Sequence, residues 1–129
     1  MPCFFITILL VIVLSGCGQG DEGQQTGDFI STNLENIARD SLPGAGLVRR
    51  KCASCHHLDR NLTKVGPTLK GVFGRKPRIS GVPFEKWDEA ALDRWIENPA
   101  SIKPDTRMAI PGIKSAGERK AIIEYLKQL

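Results

Sequence analysis

The sequence feature that most restricts the fold of this chain is the motif Cys52-x-x-Cys55-His56. Two closely spaced cysteines followed at once by a histidine suit only a few chemistries. A thioredoxin-like redox pair requires a β-α-β pattern, and none is visible around this motif. A zinc site requires four ligands, and beyond the adjacent His57 the only other Cys residues lie in the first 17 positions. A structural disulfide is a further alternative, although so short a loop constrains the unfolded chain little.

Covalent attachment of a haem uses every residue of the motif. Two thiols one helical turn apart can form thioether bonds with the two vinyl groups of a protoporphyrin, and the next imidazole can bind the iron. We therefore predict one haem c bound covalently through Cys52 and Cys55, with His56 as an iron ligand. The alternative is a haem-free dithiol or zinc protein with a structural or redox-sensing role.

The N-terminal segment predicts an export signal. The eleven residues from Phe4 to Leu14 are Phe, Ile, Leu, Val and one Thr, which is too short for a bilayer span of about 20 residues. The sequence Leu14-Ser15-Gly16-Cys17 follows and resembles the lipobox of bacterial lipoproteins. The resemblance implies a signal peptide over 1–16 and a lipid on Cys17 that anchors the protein at the periplasmic side of a membrane. A plain secretory signal is the alternative.

Charge divides the rest of the chain into two parts. Residues 17–45 have an excess of four negative charges, whereas residues 46–129 hold 17 Lys and Arg against nine Asp and Glu. The segment 18–27 has no apolar residue to bury and predicts a flexible tether. A capping-box pattern, Thr32-x-x-Glu35, indicates a short helix after it. We therefore expect a flexible acidic linker over 17–42 and one domain over 43–129, of a size that usually needs a covalent cross-link, a metal or a cofactor for stability.

Three helices are predicted in that domain from proline, capping and periodicity patterns, which makes it all-α. The hydrophobic residues of each predicted helix recur at helical spacing on one face. The expected helices begin and end at these residues: Pro43 to Cys52 or Cys55, Asp88 to Asn98, and Ser115 to Leu129.

The order of the motifs resembles that of mitochondrial-type class I cytochromes c over about Gly44 to Leu129. The resemblance implies the class I cytochrome c fold, with three main helices around a covalently attached haem. The matching segments are Cys52-x-x-Cys55-His56, Gly66-Pro67-Thr68-Leu69-Lys70-Gly71-Val72-Phe73-Gly74-Arg75-Lys76, Trp87, Glu97-Asn98-Pro99, Pro104-x-Thr106-x-Met108, Gly112-Ile113-Lys114 and Gly117-Glu118-Arg119.

The resemblance also implies the second iron ligand. His57 adjoins His56 and cannot reach around the porphyrin, which leaves Met108, the only methionine after the leader. A lone methionine more often fills a gap in a hydrophobic core, but this one lies in the segment that matches the family's ligand loop. A site with His56 and Met108 as metal ligands has no open position and a raised reduction potential, so we expect electron transfer and no enzymatic activity.

Further residues match family positions around the haem. The resemblance implies that the carbonyl group of Pro67 accepts the N–H of the proximal imidazole, which orients that ring. Arg75, Trp87 and Thr106 match the donors to the haem propionates. Trp95 stands where the family has a tyrosine beside the methionine sulfur.

Four basic residues match positions that ring the exposed haem edge in the family: Lys51, Lys64, Arg107 and Lys114. Such a ring attracts acidic partner surfaces. We therefore expect a monomeric cytochrome that carries single electrons between partners such as a cytochrome bc complex and a haem-copper oxidase, and that binds no nucleic acid. The alternatives are a dedicated acceptor for a periplasmic dehydrogenase and, if Met108 is not a ligand, a haem peroxidase or gas-binding protein.

Overall fold

The computed structural model describes residues 22–129, including the side chains of residues 28–129. Within that range it contains five helices and no strands: α1 (Glu22–Asp40), α2 (Pro43–Lys51), α3 (Glu89–Glu97), α4 (Pro99–Ile102) and α5 (Ala116–Leu126). The prediction of an all-α fold is confirmed. The predicted signal peptide and Cys17 lie outside the described residues. Among the helices of residues 22–129, none has the length and apolar character needed to cross a membrane.

Helix α2 begins at the predicted proline. Pro43 fixes a helical backbone angle and lacks an amide hydrogen that would otherwise be unpaired there. The helix ends at Lys51, where the amide of Cys52 donates to the carbonyl oxygen of Val48 at 2.9 Å. The amide of His56 then donates to the carbonyl oxygen of Cys52, also at 2.9 Å. The cysteine–histidine motif therefore forms a tight turn directly after α2.

Helices α3 and α5 begin at the residues that their capping patterns predict. The carboxylate of Asp88 accepts the amide of Ala91 at 2.9 Å, and the hydroxyl of Ser115 accepts the amide of Glu118 at 3.3 Å. Each contact satisfies an amide that has no partner inside its helix. Helix α5 ends at Leu126, three residues before the predicted end.

The one-turn helix α4 is not predicted from the sequence. The Asn98-Pro99 pair ends α3 as expected, but the side chain of Asn98 also accepts the amide of Ser101 at 3.3 Å. A proline is well tolerated at the first position of a helix, so the residue that stops α3 also starts α4.

Helix α1 is longer than the sequence predicts. Residues 22–27, expected to belong to a flexible tether, are helical. Thr32, expected as an N-cap, lies inside the helix, and its hydroxyl donates to the carbonyl oxygen of Asp28 at 2.8 Å. Once a helix has formed, each added residue gains a hydrogen bond without a new nucleation cost. This propagation extends α1 into a segment whose composition alone favours coil.

The core is formed where α2 crosses α5. A Cβ atom on Gly44 would overlap the backbone carbonyl of Ala121, so only glycine allows the two helices to approach this closely. Val48 and Ile122 are completely buried beside the crossing. The other buried apolar residues come from the three main helices and the loops between them: Ala45, Val72, Trp87, Ala91, Leu92, Trp95, Ile96, Ile113, Ile123, Tyr125 and Leu126.

A buried arginine joins α5 to α3 and to the loop between them. Arg119 is only 6% exposed, and its Nε donates to Asp93 Oδ1 at 2.7 Å. One of its terminal nitrogens donates to the carbonyl oxygens of Ile113 at 3.0 Å and Lys114 at 2.9 Å. The hydrogen bond with Asp93 raises the pKa of the guanidinium, which stays charged. In the sequence, Arg119 is only part of a segment that matches the family, and this role is not predicted.

We expect Gly44→Ala to lower the free energy of unfolding of the haem-containing protein by about 2 kcal/mol, because the new methyl group must displace the backbone of α5. The matched control is Gly46→Ala, where the nearest atom is the flexible end of Arg50 at 3.0 Å. There the gain in helix propensity, up to about 1 kcal/mol, dominates. Guanidinium denaturation measures both values, and equal effects would contradict the close crossing.

Candidate haem site

The imidazole of His56 is held from two sides. Its Nδ1 lies 2.6 Å from the carbonyl oxygen of Pro67. A Cβ atom on Gly66 would lie 2.7 Å from Nδ1 and 2.9 Å from Nε2, so the ring packs directly against that glycine. Because a carbonyl oxygen only accepts hydrogen bonds, Nδ1 carries the proton. The lone pair of Nε2 is therefore available to a metal ion, in the tautomer that metal-binding histidines use.

The two cysteines lie in the turn that follows α2, and they form no disulfide with each other. The amides of Cys55 and His56 both donate to the carbonyl oxygen of Cys52, which fixes the spacing of the motif. Burial raises the pKa of Cys52 to about 11, against an opposing effect of the neighbouring Lys51. Dithiol redox centres need the opposite, a thiol with a lowered pKa. The burial of Cys52 and its raised pKa therefore do not favour a redox-active dithiol.

A zinc site gains no support from the structure either. Among the residues whose side chains are described, no three His, Cys, Asp or Glu side chains are grouped so that they could hold a metal ion. His57, which follows the motif, has its carbonyl oxygen bonded to the amide of Leu69 at 2.8 Å. Its backbone therefore helps to hold the loop that carries Pro67.

The sulfur of Met108 is positioned by a tryptophan of α3. The indole Nε1 of Trp95 donates to Met108 Sδ at 3.1 Å, and Trp95 itself is buried. The hydroxyl of Thr106 accepts the amide of Met108 at 3.2 Å and keeps its own hydrogen free to donate. A thioether sulfur has two lone pairs, so one can accept the indole hydrogen while the other binds a metal. A rigid helix thus determines the position of a residue in an irregular loop.

Arg75 has a buried donor without a partner. Its two terminal nitrogens donate to the carbonyl oxygens of Thr68 at 2.8 Å and Lys70 at 3.1 Å. Its Nε is buried and has no acceptor among the described residues. Burial, and to a lesser extent the charge of Arg78, lowers the pKa of this guanidinium. An unpartnered buried donor on a cation is costly, and a carboxylate such as a haem propionate would satisfy it.

Trp87 links Arg75 to the methionine side of the site. The amide of Trp87 donates to the carbonyl oxygen of Arg75, and the amide of Gly74 donates to that of Trp87, both at 2.9 Å. The ring centroids of Trp87 and Trp95 are 5.6 Å apart. These contacts close the short connection between residues 75 and 87 and bring the two tryptophans together.

The structure thus connects all nine predicted haem-site residues through a continuous series of contacts. They contribute an imidazole nitrogen, a thioether sulfur, two thiols and donors without partners, which is the donor set of a c-type haem site. The members of this group are Cys52, Cys55, His56, Pro67, Arg75, Trp87, Trp95, Thr106 and Met108. The packing of Gly66 on the imidazole is not predicted from the sequence, although the Gly66-Pro67 pair in a segment that matches the family is a signal for it.

The four predicted docking residues are all exposed. The ammonium group of Lys64 donates to the carbonyl oxygen of Ala53 at 2.9 Å, and that of Lys114 donates to the carbonyl oxygen of Glu97 at 3.1 Å. The ammonium of Lys51 lies 3.8 Å from Glu118. Backbone contacts therefore hold two of the four cations close to the turn and the loop that carry the candidate iron ligands.

An all-α domain with this donor set belongs to the class of c-type haem proteins. Similarity to known proteins indicates the same class. A family model described as cytochrome c matches residues 41–129. Cytochrome c2 iso-2 of Magnetospirillum molischianum is 38% identical over 87 residues, which cover 60% of this chain and 90% of that protein. Cytochrome c of Gibberella zeae is 35% identical over 98 residues, covering 68% and 92%. Cytochrome c of Arabidopsis thaliana is 33% identical over 103 residues, covering 72% and 92%.

The chain therefore belongs to the cytochrome c family. It is an electron-transfer haem protein, and it holds one haem c covalently through Cys52 and Cys55, which have the spacing that this cofactor requires. The sequence-based predictions of the fold class and of the cofactor are confirmed.

We expect Gly66→Ala to displace the imidazole of His56 and to weaken its hydrogen bond to Pro67. The cost of this overpacking, about 2 kcal/mol, corresponds to a fall of about 10 °C in the melting temperature of the haem-containing protein. The matched control is Gly117→Ala, where the added Cβ meets only the hydroxyl of Ser115 at 3.9 Å. Thermal melts followed by haem absorbance test this, and unchanged stability in both variants would contradict the packing.

Proposed function

We propose that the protein is a membrane-anchored electron carrier whose haem iron is bound by His56 Nε2 and Met108 Sδ. The carrier passes single electrons between respiratory partners, for which a cytochrome bc complex and a haem-copper oxidase are the leading candidates. A lipid on Cys17 retains it at the periplasmic face of a membrane. A dedicated periplasmic dehydrogenase is the other candidate donor.

The hydrogen bond from Trp95 Nε1 to Met108 Sδ, at 3.1 Å, is the observation that carries this proposal. It gives the thioether a defined position before any metal is considered, which a residue that merely fills a gap does not need. Because the indole withdraws electron density from the sulfur, it makes the sulfur a weaker donor to ferric iron. Both effects favour a six-coordinate site with a high reduction potential.

Ligation from both sides also explains why electron transfer is favoured over catalysis. With His56 and Met108 both bound, no coordination position is left for oxygen, peroxide or a substrate. The Pro67 carbonyl and the Trp95 indole hold the two ligands from outside, so the ligand set is the same in both oxidation states. A site that changes little on oxidation transfers electrons with little reorganisation.

The charge of the domain supports docking to acidic partners. Residues 46–129 have an excess of eight positive charges, and Lys51, Lys64, Arg107 and Lys114 are exposed. A field of this sign raises the rate of encounter with an acidic surface, and salt screens it.

We expect Met108→Ala to abolish the weak near-red absorption band of ferric iron bound to thioether sulfur, to lower the reduction potential and to let ferrous iron bind carbon monoxide. Trp95→Phe keeps the ligand but removes its hydrogen bond, worth about 1 kcal/mol, so the potential falls by about 40 mV at most. Optical spectra and redox titration measure these effects.

The control for the methionine variant is Ile110→Ala, which removes a half-buried apolar side chain from the same loop and should keep the band. If Met108→Ala leaves the spectrum and the potential unchanged, the iron has another ligand or an open position. A peroxidase or gas-binding function would then be favoured.

We expect Arg107→Glu to slow electron transfer to a purified haem-copper oxidase about tenfold at low ionic strength, with the difference vanishing at high salt. Lys120→Glu makes the same charge change at an exposed site of α5 outside the predicted ring and should have a smaller effect. Stopped-flow kinetics over a range of salt concentrations test this. A rate that is independent of salt, or equal slowing by both variants, would contradict docking through the ring.

A further inference from the structure

Helix α1 has an exposed apolar face that the cytochrome domain does not use. The helix ends at Asp40, and the match to the cytochrome c family begins at residue 41. Four of its apolar side chains are between 61% and 73% exposed: Phe29, Ile30, Leu34 and Ile37. At about 100° per residue, these four lie within an arc of about 140° on one side of the helix. A continuous apolar face of this kind usually marks an interaction site.

This face points away from the rest of the protein. Of the two half-buried residues in the last turns of α1, Arg39 lies about 150° from the centre of the apolar face, and Asn36 lies at the edge of that face, next to the direction of Phe29. Asp40 forms an ion pair with Arg49 of α2 at 2.5 Å. The body therefore packs against one side of α1, and the apolar face is left for an external partner.

The chain that precedes α1 indicates which partner this is. Cys17, the proposed lipid site, lies five positions before Glu22, so even a fully extended chain separates them by only about 17 Å. A lipid at Cys17 would hold the start of α1 close to a bilayer. The opposite side of the helix carries Asp28 and Glu35, which suit water and do not attract anionic lipid headgroups.

We propose that α1 lies flat on a zwitterionic lipid bilayer, with Phe29, Ile30, Leu34 and Ile37 inserted at the boundary between headgroups and acyl chains. This inference rests on the membrane anchoring proposed above. It changes the expected behaviour of the linker, because a surface-bound helix replaces a free tether.

The helix also orients the haem domain. Two backbone hydrogen bonds close the turn between α1 and α2. The amide of Ser41 donates to the carbonyl oxygen of Ile37 at 3.0 Å, and the amide of Leu42 donates to the carbonyl oxygen of Arg39 at 3.1 Å. With the ion pair to Arg49, these contacts couple the direction of α1 to that of α2. A bilayer that holds α1 therefore restricts which side of the domain faces a partner in the same membrane.

The test measures how fast a water-soluble maleimide reacts with single cysteines introduced on the two sides of α1. Leu34→Cys lies on the apolar face, and the matched control Glu35→Cys lies on the opposite side of the same turn. Each full-length, haem-containing variant is reconstituted into phosphatidylcholine vesicles at fewer than one chain per vesicle on average. The same reaction in denaturant gives the intrinsic reactivity of each thiol.

We expect the thiol at position 34 to react about tenfold more slowly than the thiol at position 35 on vesicles, and at the same rate in denaturant. Ile30→Cys and Asp28→Cys form a second pair, in case Leu34→Cys impairs folding. Equal rates on vesicles would overturn the proposal. Protection at position 34 that appears only at many chains per vesicle would also overturn it, since a second copy would then cover the face.

Failure of this inference is distinguishable from failure of the proposed function. The mass of the N-terminal peptide reports whether Cys17 carries a lipid, and the near-red band of the same sample reports the ligation by Met108. If both are as proposed and the two thiols react equally, only the docking of α1 is wrong. If Cys17 is unmodified, the proposed lipid anchor is wrong, and the docking of α1, which rests on it, is wrong as well.

Discussion

The hydrogen bond between His56 Nδ1 and the carbonyl oxygen of Pro67, at 2.6 Å, is the contact on which the site depends. It determines the tautomer of the imidazole and leaves the lone pair of Nε2 free to bind a metal ion. Gly66 holds the same ring by close packing, so the Gly66-Pro67 dipeptide fixes both the tautomer and the position of the imidazole. The loop is in turn held by Arg75, whose guanidinium bonds to the carbonyl oxygens of residues 68 and 70.

The helical frame serves to hold two irregular segments at fixed positions. The crossing of α2 and α5 at Gly44 positions the turn that contains the two cysteines, and α3 positions the sulfur of Met108 through Trp95. Arg119 ties α5 to α3 and to the chain that follows the methionine loop. The three helices are short, and a haem contributes the apolar surface that a core of this size lacks. The cofactor is therefore part of the fold as well as the redox centre.

Much of this arrangement follows from local patterns in the sequence. Pro43, Asp88 and Ser115 start the three main helices because each satisfies or removes an unpaired amide, an effect that depends only on neighbouring residues. The cysteine–histidine motif predicts the cofactor because covalent haem attachment requires that spacing. The other haem-site residues are predicted only through the resemblance to a family, since contacts between distant segments leave no periodic pattern.

The features that the sequence does not predict depend on tertiary contacts or on the extension of a helix that has already formed. The role of Arg119 needs Asp93 and two backbone carbonyls that are brought together only by folding. The extension of α1 through residues 22–27 needs a helix already formed next to a segment with poor intrinsic propensity. The exposure of its apolar face could not be predicted either, because amphipathic spacing alone does not tell whether a helix packs on its own domain or on something else.

X-ray absorption at the iron edge of the purified protein decides whether His56 and Met108 both bind the iron, because it identifies and counts the atoms bound to the metal. If His56 and Met108 both bind the iron, the spectrum will show five nitrogen neighbours and one sulfur neighbour in both oxidation states. A coordination sphere without sulfur, or one with an open position, would show that Met108 is not an iron ligand.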